Sequence, residues 1–180
     1  GFKVYRCVVV YVDALTKFLH LHGVAQLIDG RPQAQQTRDG TIEFIRRARI
    51  VANNPDLHVE AFRSDKGSEW LGAWETWRAA EEAANPGLYQ TAKTPGTRSS
   101  YNSVAEATIK AARRLWHGHY RAVNHEIPVD QRALYDWMEH IEDIIAIWNT
   151  GHRETIKTTP NKALDPRVAP TYAEVADRIR

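Results

Sequence analysis

The chain has 180 residues, enough for one domain, and its 43% hydrophobic and 26% charged residues are typical of a soluble globular protein. No apolar run approaches the ~20 residues of a membrane span, and the single cysteine, Cys7, excludes an internal disulfide and suits a reducing compartment. The net charge of +2 does not by itself indicate a nucleic-acid binder. The abrupt entry into a strand pattern suggests a core cut from a longer protein.

Strand and helix patterns alternate along the chain. The strands are predicted at 4–12, at 17–28 (continuing into a third strand), at 57–62 and at 87–93. The helices are predicted at 41–54, 68–85, 103–124 and 131–149. Loops are predicted at 32–40 and 94–102, and a capping box at Thr171 and Glu174. In the second helix, Trp70, Trp74 and Trp77 form a stripe typical of a core.

This order predicts an α/β fold with a five-stranded mixed sheet, three antiparallel strands followed by two parallel ones, flanked by helices. We expect one domain at 1–165 and an extension with a short helix at 166–180. Because crossover strands run parallel, Asp13 and Asp65, which follow the first strand and the 57–62 strand, are expected at the same sheet edge.

Three carboxylates are the candidate chemistry. Asp13 and Asp65 follow predicted strands, and Glu106 lies in the first turn of the 103–124 helix. Carboxylates brought together need hard cations, and two Mg²⁺ ions in such a site support in-line attack on a phosphodiester. Each residue also has a structural explanation. Both aspartates suit turns, and Glu106 completes a capping box with Ser103.

The 103–124 helix also carries a polar stripe. Glu106, Lys110, Arg113, His117 and Arg121 fall on one face, and Ala107 through Asn124 contain no acid. A line of cations leading away from one acid is typical of phosphate-backbone binding, whereas a solvated face would usually mix signs. The buried side is predicted from Val104, Ala105, Thr108, Ile109, Ala111, Ala112, Leu115 and Trp116.

The segments "VVVYVDALTKFLHLHGV", "FRSDKGSEW", "YNSVAEATIKAARRL" and "KTTPNKAL" resemble the catalytic core of retroviral and retrotransposon integrases. This D,D,E transposase superfamily has an RNase H-like fold, and the likeness spans about residues 4–165. It implies that Asp13, Asp65 and Glu106 bind two Mg²⁺ or Mn²⁺ ions. It also implies DNA 3′-end processing and strand transfer by one-step transesterification.

The resemblance further implies DNA contacts and partners. Lys110 and Arg113 match DNA-contacting positions, and Tyr101 and Asn102 lie in the loop that approaches the DNA end. The other expected DNA contacts are Lys66, Arg98, Arg114 and His117. Element ends and target DNA are the expected partners, and the host nucleus or a virus-like particle the expected location.

Alternatives remain open. One is an RNase H-like nuclease that only hydrolyses DNA, and another is a domesticated, non-catalytic DNA-binding or oligomerising module. By analogy we expect a homodimer or higher oligomer, with the 131–149 helix as candidate interface because Ile144 and Ile147 lie off its main apolar stripe. No zinc site is expected, because His20 and His22 share a strand face without a third ligand nearby, and His117 and His119 point in different directions on one helix.

Overall fold

The computed structural model describes residues 7–25, 27–65, 67–93, 103–125, 140–165 and 167. These residues fall into two compact units. The first unit contains 12–21, 104–125, 140–165 and 167, and the second contains 7–11, 22–25, 27–65, 67–93 and 103. No helix within these ranges combines the length and the apolar character needed to cross a bilayer. The predicted strand start at 4–6, loop at 94–102, helical turns at 131–139 and C-terminal capping box lie outside them.

The strands of the described residues pair only in twos, so the predicted five-stranded mixed sheet is wrong. Strand β1 (Cys7–Val12) pairs with β2 (Leu19–Val24). Strand β3 (Leu27–Ile28) is antiparallel to β4 (Arg31–Pro32). Strand β5 (Ala61–Ser64) is parallel to β6 (Gln90–Lys93), with Ala61 opposite Gln90.

Local chemistry explains why the strands are short. Asp29 and Gly30 have positive φ angles of 50° and 76°, which form the tight two-residue turn of the β3–β4 hairpin. The hairpin ends at Pro32, whose ring nitrogen has no hydrogen to donate to a longer ladder. In β5, Ala61 and Arg63 are exposed, so this strand is not a buried central one.

Helix α1 (Ala34–Ala52) begins inside the segment that the sequence predicted as a loop at 32–40. At its start, the Gln36 side chain accepts a hydrogen bond from Gln33 N at 3.1 Å, and Gln36 N donates to Gln33 O at 2.9 Å. Position 40, inside the helix, has room only for glycine, because a Cβ there would come within 2.6 Å of Tyr11 Oη and 2.8 Å of His22 Cγ. The glycine therefore marks a close approach between this helix and the strands, not a loop.

Aromatic side chains fill the centre of the second unit. A 3₁₀ turn (Ser68–Trp70) and helix α2 (Ala73–Ala84) replace the single predicted helix, because Gly72 has a φ of +52° between them. Trp74 is fully buried, and its ring centroid lies 5.5 Å from that of Trp70 and 5.4 Å from that of Phe62. The prediction that the tryptophan stripe belongs to the core is confirmed for Trp74, whereas Trp70 and Trp77 are half-buried.

Helix α3 (Ser103–Asn124), which belongs to the first unit from Val104 onward, has the predicted bounds, and helices α4 (Ile141–Thr150) and α5 (Pro160–Ala163) follow. The buried Asn149 side chain of α4 accepts a hydrogen bond from Leu19 N and donates one to Leu19 O, both at 2.8 Å. Trp148 Nε1 donates to Lys17 O at 2.9 Å. Side chains of helix α4 therefore bind the main chain at Lys17 and Leu19, a few residues after Asp13.

The apolar side chains of α4 differ in exposure. Ile144 is fully buried, so its prediction as an interface residue is wrong: it belongs to the core of its own unit. Ile147 is 42% exposed and stays available for an interface.

Candidate nucleic-acid interface

The exposed face of α3 carries five of the predicted site residues. A shallow depression on this face is lined by Ile109 together with Glu106, Lys110, Arg113, Arg114 and His117. All six are exposed, whereas Thr108 and Ala112 on the opposite face are buried. The polar face is exposed as predicted. On the predicted buried side, Ile109 is 38% exposed at the edge of the polar face, and the residues other than Thr108 and Ala112 are half-buried.

The cations on this face differ from those on α1 in their ion pairing. On α1, Glu43 binds Arg46 at 2.7 Å and a second arginine at 2.8 Å, so those charges are compensated. Within the described part of the chain, Lys110, Arg113 and Arg114 form no ion pair. Their charge is therefore not neutralised locally and remains available for an anion.

Asp13 lies in the turn between β1 and β2. Its Oδ2 accepts hydrogen bonds from Thr16 N at 2.9 Å and from the Thr16 hydroxyl, and Leu15 N lies 3.4 Å from Oδ1. The backbone N–H of Asp13 donates to Phe18 O at 2.9 Å. Burial lowers the pKa of the neighbouring Lys17, and the charge of Asp13 partly opposes that shift. Asp13 therefore stabilises this turn through Oδ2, whereas its Oδ1 accepts only the long hydrogen bond from Leu15 N.

Asp65 follows β5 directly and is exposed. Its Oδ1 accepts a hydrogen bond from Gly67 N at 3.1 Å, the pattern of an Asx turn. A Cβ on Gly67 would meet the Glu69 carboxylate, which is the movable end of a flexible side chain. The turn explanation for Asp65 thus holds, and Oδ2 takes no hydrogen bond from the described residues.

The three predicted metal ligands are divided between the units. Asp13 and Glu106 belong to the first unit and Asp65 to the second. Their joint action on metal ions stays a prediction. The other predicted DNA contacts, Lys66, Arg98, Tyr101 and Asn102, lie outside the described residues.

Among known proteins, the chain is similar to solved structures in fold but matches none in sequence family. No protein-family model matches the chain, and no curated protein matches it. The chain is similar to one in the cryoEM structure of the simian T-cell lymphotropic virus intasome in complex with PP2A regulatory subunit B56 gamma. The TM-score is 0.62 at 14% identity, and the match covers 94% of this chain and 53% of that one. The present chain thus spans about half the length of the intasome-structure chain, and the likeness shows the fold alone.

The sequence patterns did not predict a second group of side chains that could bind a metal ion. His119 on α3 lies with His140 and Asp143 at the start of α4, and one ligand atom from each lies within 4.8 Å of the others. The only local signal was the position of His119 on the buried face of α3. Its partners are more than 20 residues away in sequence, so their contact depends on how the two helices pack.

Proposed function

We propose that this chain is the catalytic core of a DNA integrase that carries out metal-dependent 3′-end processing and strand transfer of mobile-element DNA. The observation that carries the proposal is the exposed face of α3. There, Lys110, Arg113 and Arg114 form no ion pair within the described residues and lie beside Glu106. The similarity in fold to a chain of an intasome structure supports it.

The cation face suits a phosphate backbone. Lys110 and Arg121 are 11 positions apart on the helix, which is about 16 Å and corresponds to roughly five base pairs of duplex. Arginine and lysine contacts to phosphate position a duplex without selecting its sequence. Glu106 at the start of this line would then lie beside the bound backbone.

Asp13, Asp65 and Glu106 are the residues that would hold Mg²⁺ or Mn²⁺. They fit hard cations because all three offer carboxylate oxygens, and Glu106 forms no ion pair with any described residue. Bound divalent ions would supply Lewis-acid polarisation of the phosphodiester and stabilise the leaving oxygen. The α3 cations would hold the DNA strand in place during the in-line attack.

The test is metal-dependent nicking of supercoiled plasmid and joining of labelled duplex ends to it. Asp65→Asn and Glu106→Gln are expected to abolish both products while duplex binding remains. Asp56→Asn, another exposed aspartate of the second unit, is the matched control and should react as the parent does. Unchanged products from Asp65→Asn would refute the catalytic mechanism, and nicking without joining would support a hydrolytic nuclease.

A non-catalytic DNA-binding module is the second candidate. It is favoured by the hydrogen bonds that Asp13 and Asp65 accept from Thr16 and Gly67, because turn formation alone explains both aspartates. This candidate predicts duplex binding with no nicking or joining in Mg²⁺ or Mn²⁺, and no Mn²⁺ binding at millimolar concentration.

A further inference from the structure

Two histidines and an aspartate of the first unit come together where α3 meets the start of α4. His119 Nε2 lies 3.2 Å from Asp143 Oδ2, and His140 Nδ1 lies 3.6 Å from the same oxygen. The two imidazole rings meet edge to face, with centroids 5.2 Å apart and planes at 75°. Three ligand-type atoms thus surround one point.

The spacing suits a tetrahedral ion. Zinc bonds to imidazole nitrogen and carboxylate oxygen are about 2.0–2.1 Å long, so neighbouring ligand atoms on a tetrahedron lie about 3.4 Å apart. The two distances to Asp143 Oδ2 bracket that value. One nitrogen of each histidine lies within 4.8 Å of the other, and His119, at 19% exposure, is the less buried of the two rings.

His140 supplies an independent observation. Its side chain is 9% exposed, and its Nε2 is buried with no hydrogen-bond partner in the described part of the chain. Its Nδ1 faces Asp143 at 3.6 Å, beyond ordinary hydrogen-bond range. A buried imidazole with neither nitrogen in a good hydrogen bond is unfavourable, and a metal ion bound to Nδ1 would give that nitrogen a partner.

This place is separate from the polar face of α3. His119 is 13 residues beyond Glu106, which is about 20 Å along the helix axis and about 220° around it. The ligand chemistry also differs. Imidazole nitrogen favours zinc and related transition metals, whereas the all-carboxylate set favours magnesium or manganese.

We propose that His119, His140 and Asp143 form a binding site for Zn²⁺ or a similar divalent transition-metal ion. Three protein ligands leave one coordination position for water or another ligand. The ion fastens α3 to the start of α4. Because Trp148 and Asn149 of α4 hold the main chain of Lys17 and Leu19, the bound ion also stabilises the packing around the turn of Asp13.

The test is titration of the chelator-treated full chain with Zn²⁺ in excess Mg²⁺, which occupies carboxylate-only sites. We expect one tightly bound Zn²⁺ per chain, a rise in thermal midpoint, and visible absorption bands of a tetrahedral complex when Co²⁺ replaces zinc. His119→Gln and Asp143→Asn should each weaken binding by more than about tenfold and remove the stabilisation. These side chains are 19% and 58% exposed, so both variants should fold.

His152→Gln is the matched control. His152 lies 3.4 Å from Glu154 on the surface, a histidine–carboxylate contact without a second histidine among the described residues. Its variant should bind zinc as the parent does. The proposal is overturned if the parent binds no zinc below millimolar concentration, or if the His119 and Asp143 variants titrate like the parent. Either result would leave the cluster as an ordinary ion pair at a helix start.

Discussion

Removing the unpaired charges of α3 should change the salt dependence of DNA binding. The perturbation is the triple substitution Lys110→Gln, Arg113→Gln and Arg114→Gln. All three side chains are exposed and form no ion pair within the described ranges. Glutamine is a good helix former, so the free energy of unfolding should change by less than about 0.5 kcal/mol. Any large effect on binding would then come from lost charge.

The magnitude follows from counterion release. Each phosphate contact adds about −0.9 to the slope of log affinity against log salt concentration for duplex DNA. Three lost contacts should therefore make that slope less negative by about 2.7. The loss of affinity should be similar for duplexes of unrelated sequence, because phosphate contacts carry no sequence information.

The assay is fluorescence anisotropy of a labelled duplex over a series of KCl concentrations. The control is Arg46→Gln, which also removes an exposed arginine, but one bound to Glu43 at 2.7 Å. Its slope should match that of the parent. The reasoning is refuted if the triple variant keeps the parent slope, or if Arg46→Gln changes the slope as much as each α3 substitution does on average.

Three further substitutions test the packing. Gly40→Ala should destabilise the protein by about 1–3 kcal/mol, because its Cβ would come within 2.6 Å of Tyr11 Oη. Gly118→Ala, whose Cβ would meet no atom of the described residues within 4 Å, should stabilise α3 by about 0.5–1 kcal/mol, and equal effects in urea unfolding would contradict this account. Asn149→Ala leaves the buried N–H and C=O of Leu19 unpaired, so urea unfolding should show a loss of about 2–4 kcal/mol; a loss below 1 would contradict the role of this side chain.

The helix α3 was predictable because its signals are local. Apolar residues recur at helical spacing, and the bounds Ser103–Asn124 agree with the prediction. The start of helix α1 at Ala34 could not be predicted from local signals. Gly40 and the polar residues before it are typical of a loop, and only the contacts with Tyr11 and His22 explain a glycine inside a helix.

For the strands, the sequence could predict one turn but not the pairing. The 17–28 pattern predicted a strand continuing into a third, and the structure divides the segment into β2 and the short β3. The Asp29–Gly30 turn was a usable signal for the hairpin. Which strands pair with which was not, because pairing joins residues far apart in sequence and depends on the whole packing of the chain.

The sequence by itself determined the polar face of α3, since the helix period and the identity of each side chain are properties of one short segment. It also determined that Asp13 and Asp65 follow strand patterns at turn-forming positions. Tertiary structure alone decided that the described strands pair in twos, that Ile144 is buried, and that His119 meets His140 and Asp143. The physical reason is that side chains distant in sequence become neighbours only through the packing of the elements that carry them.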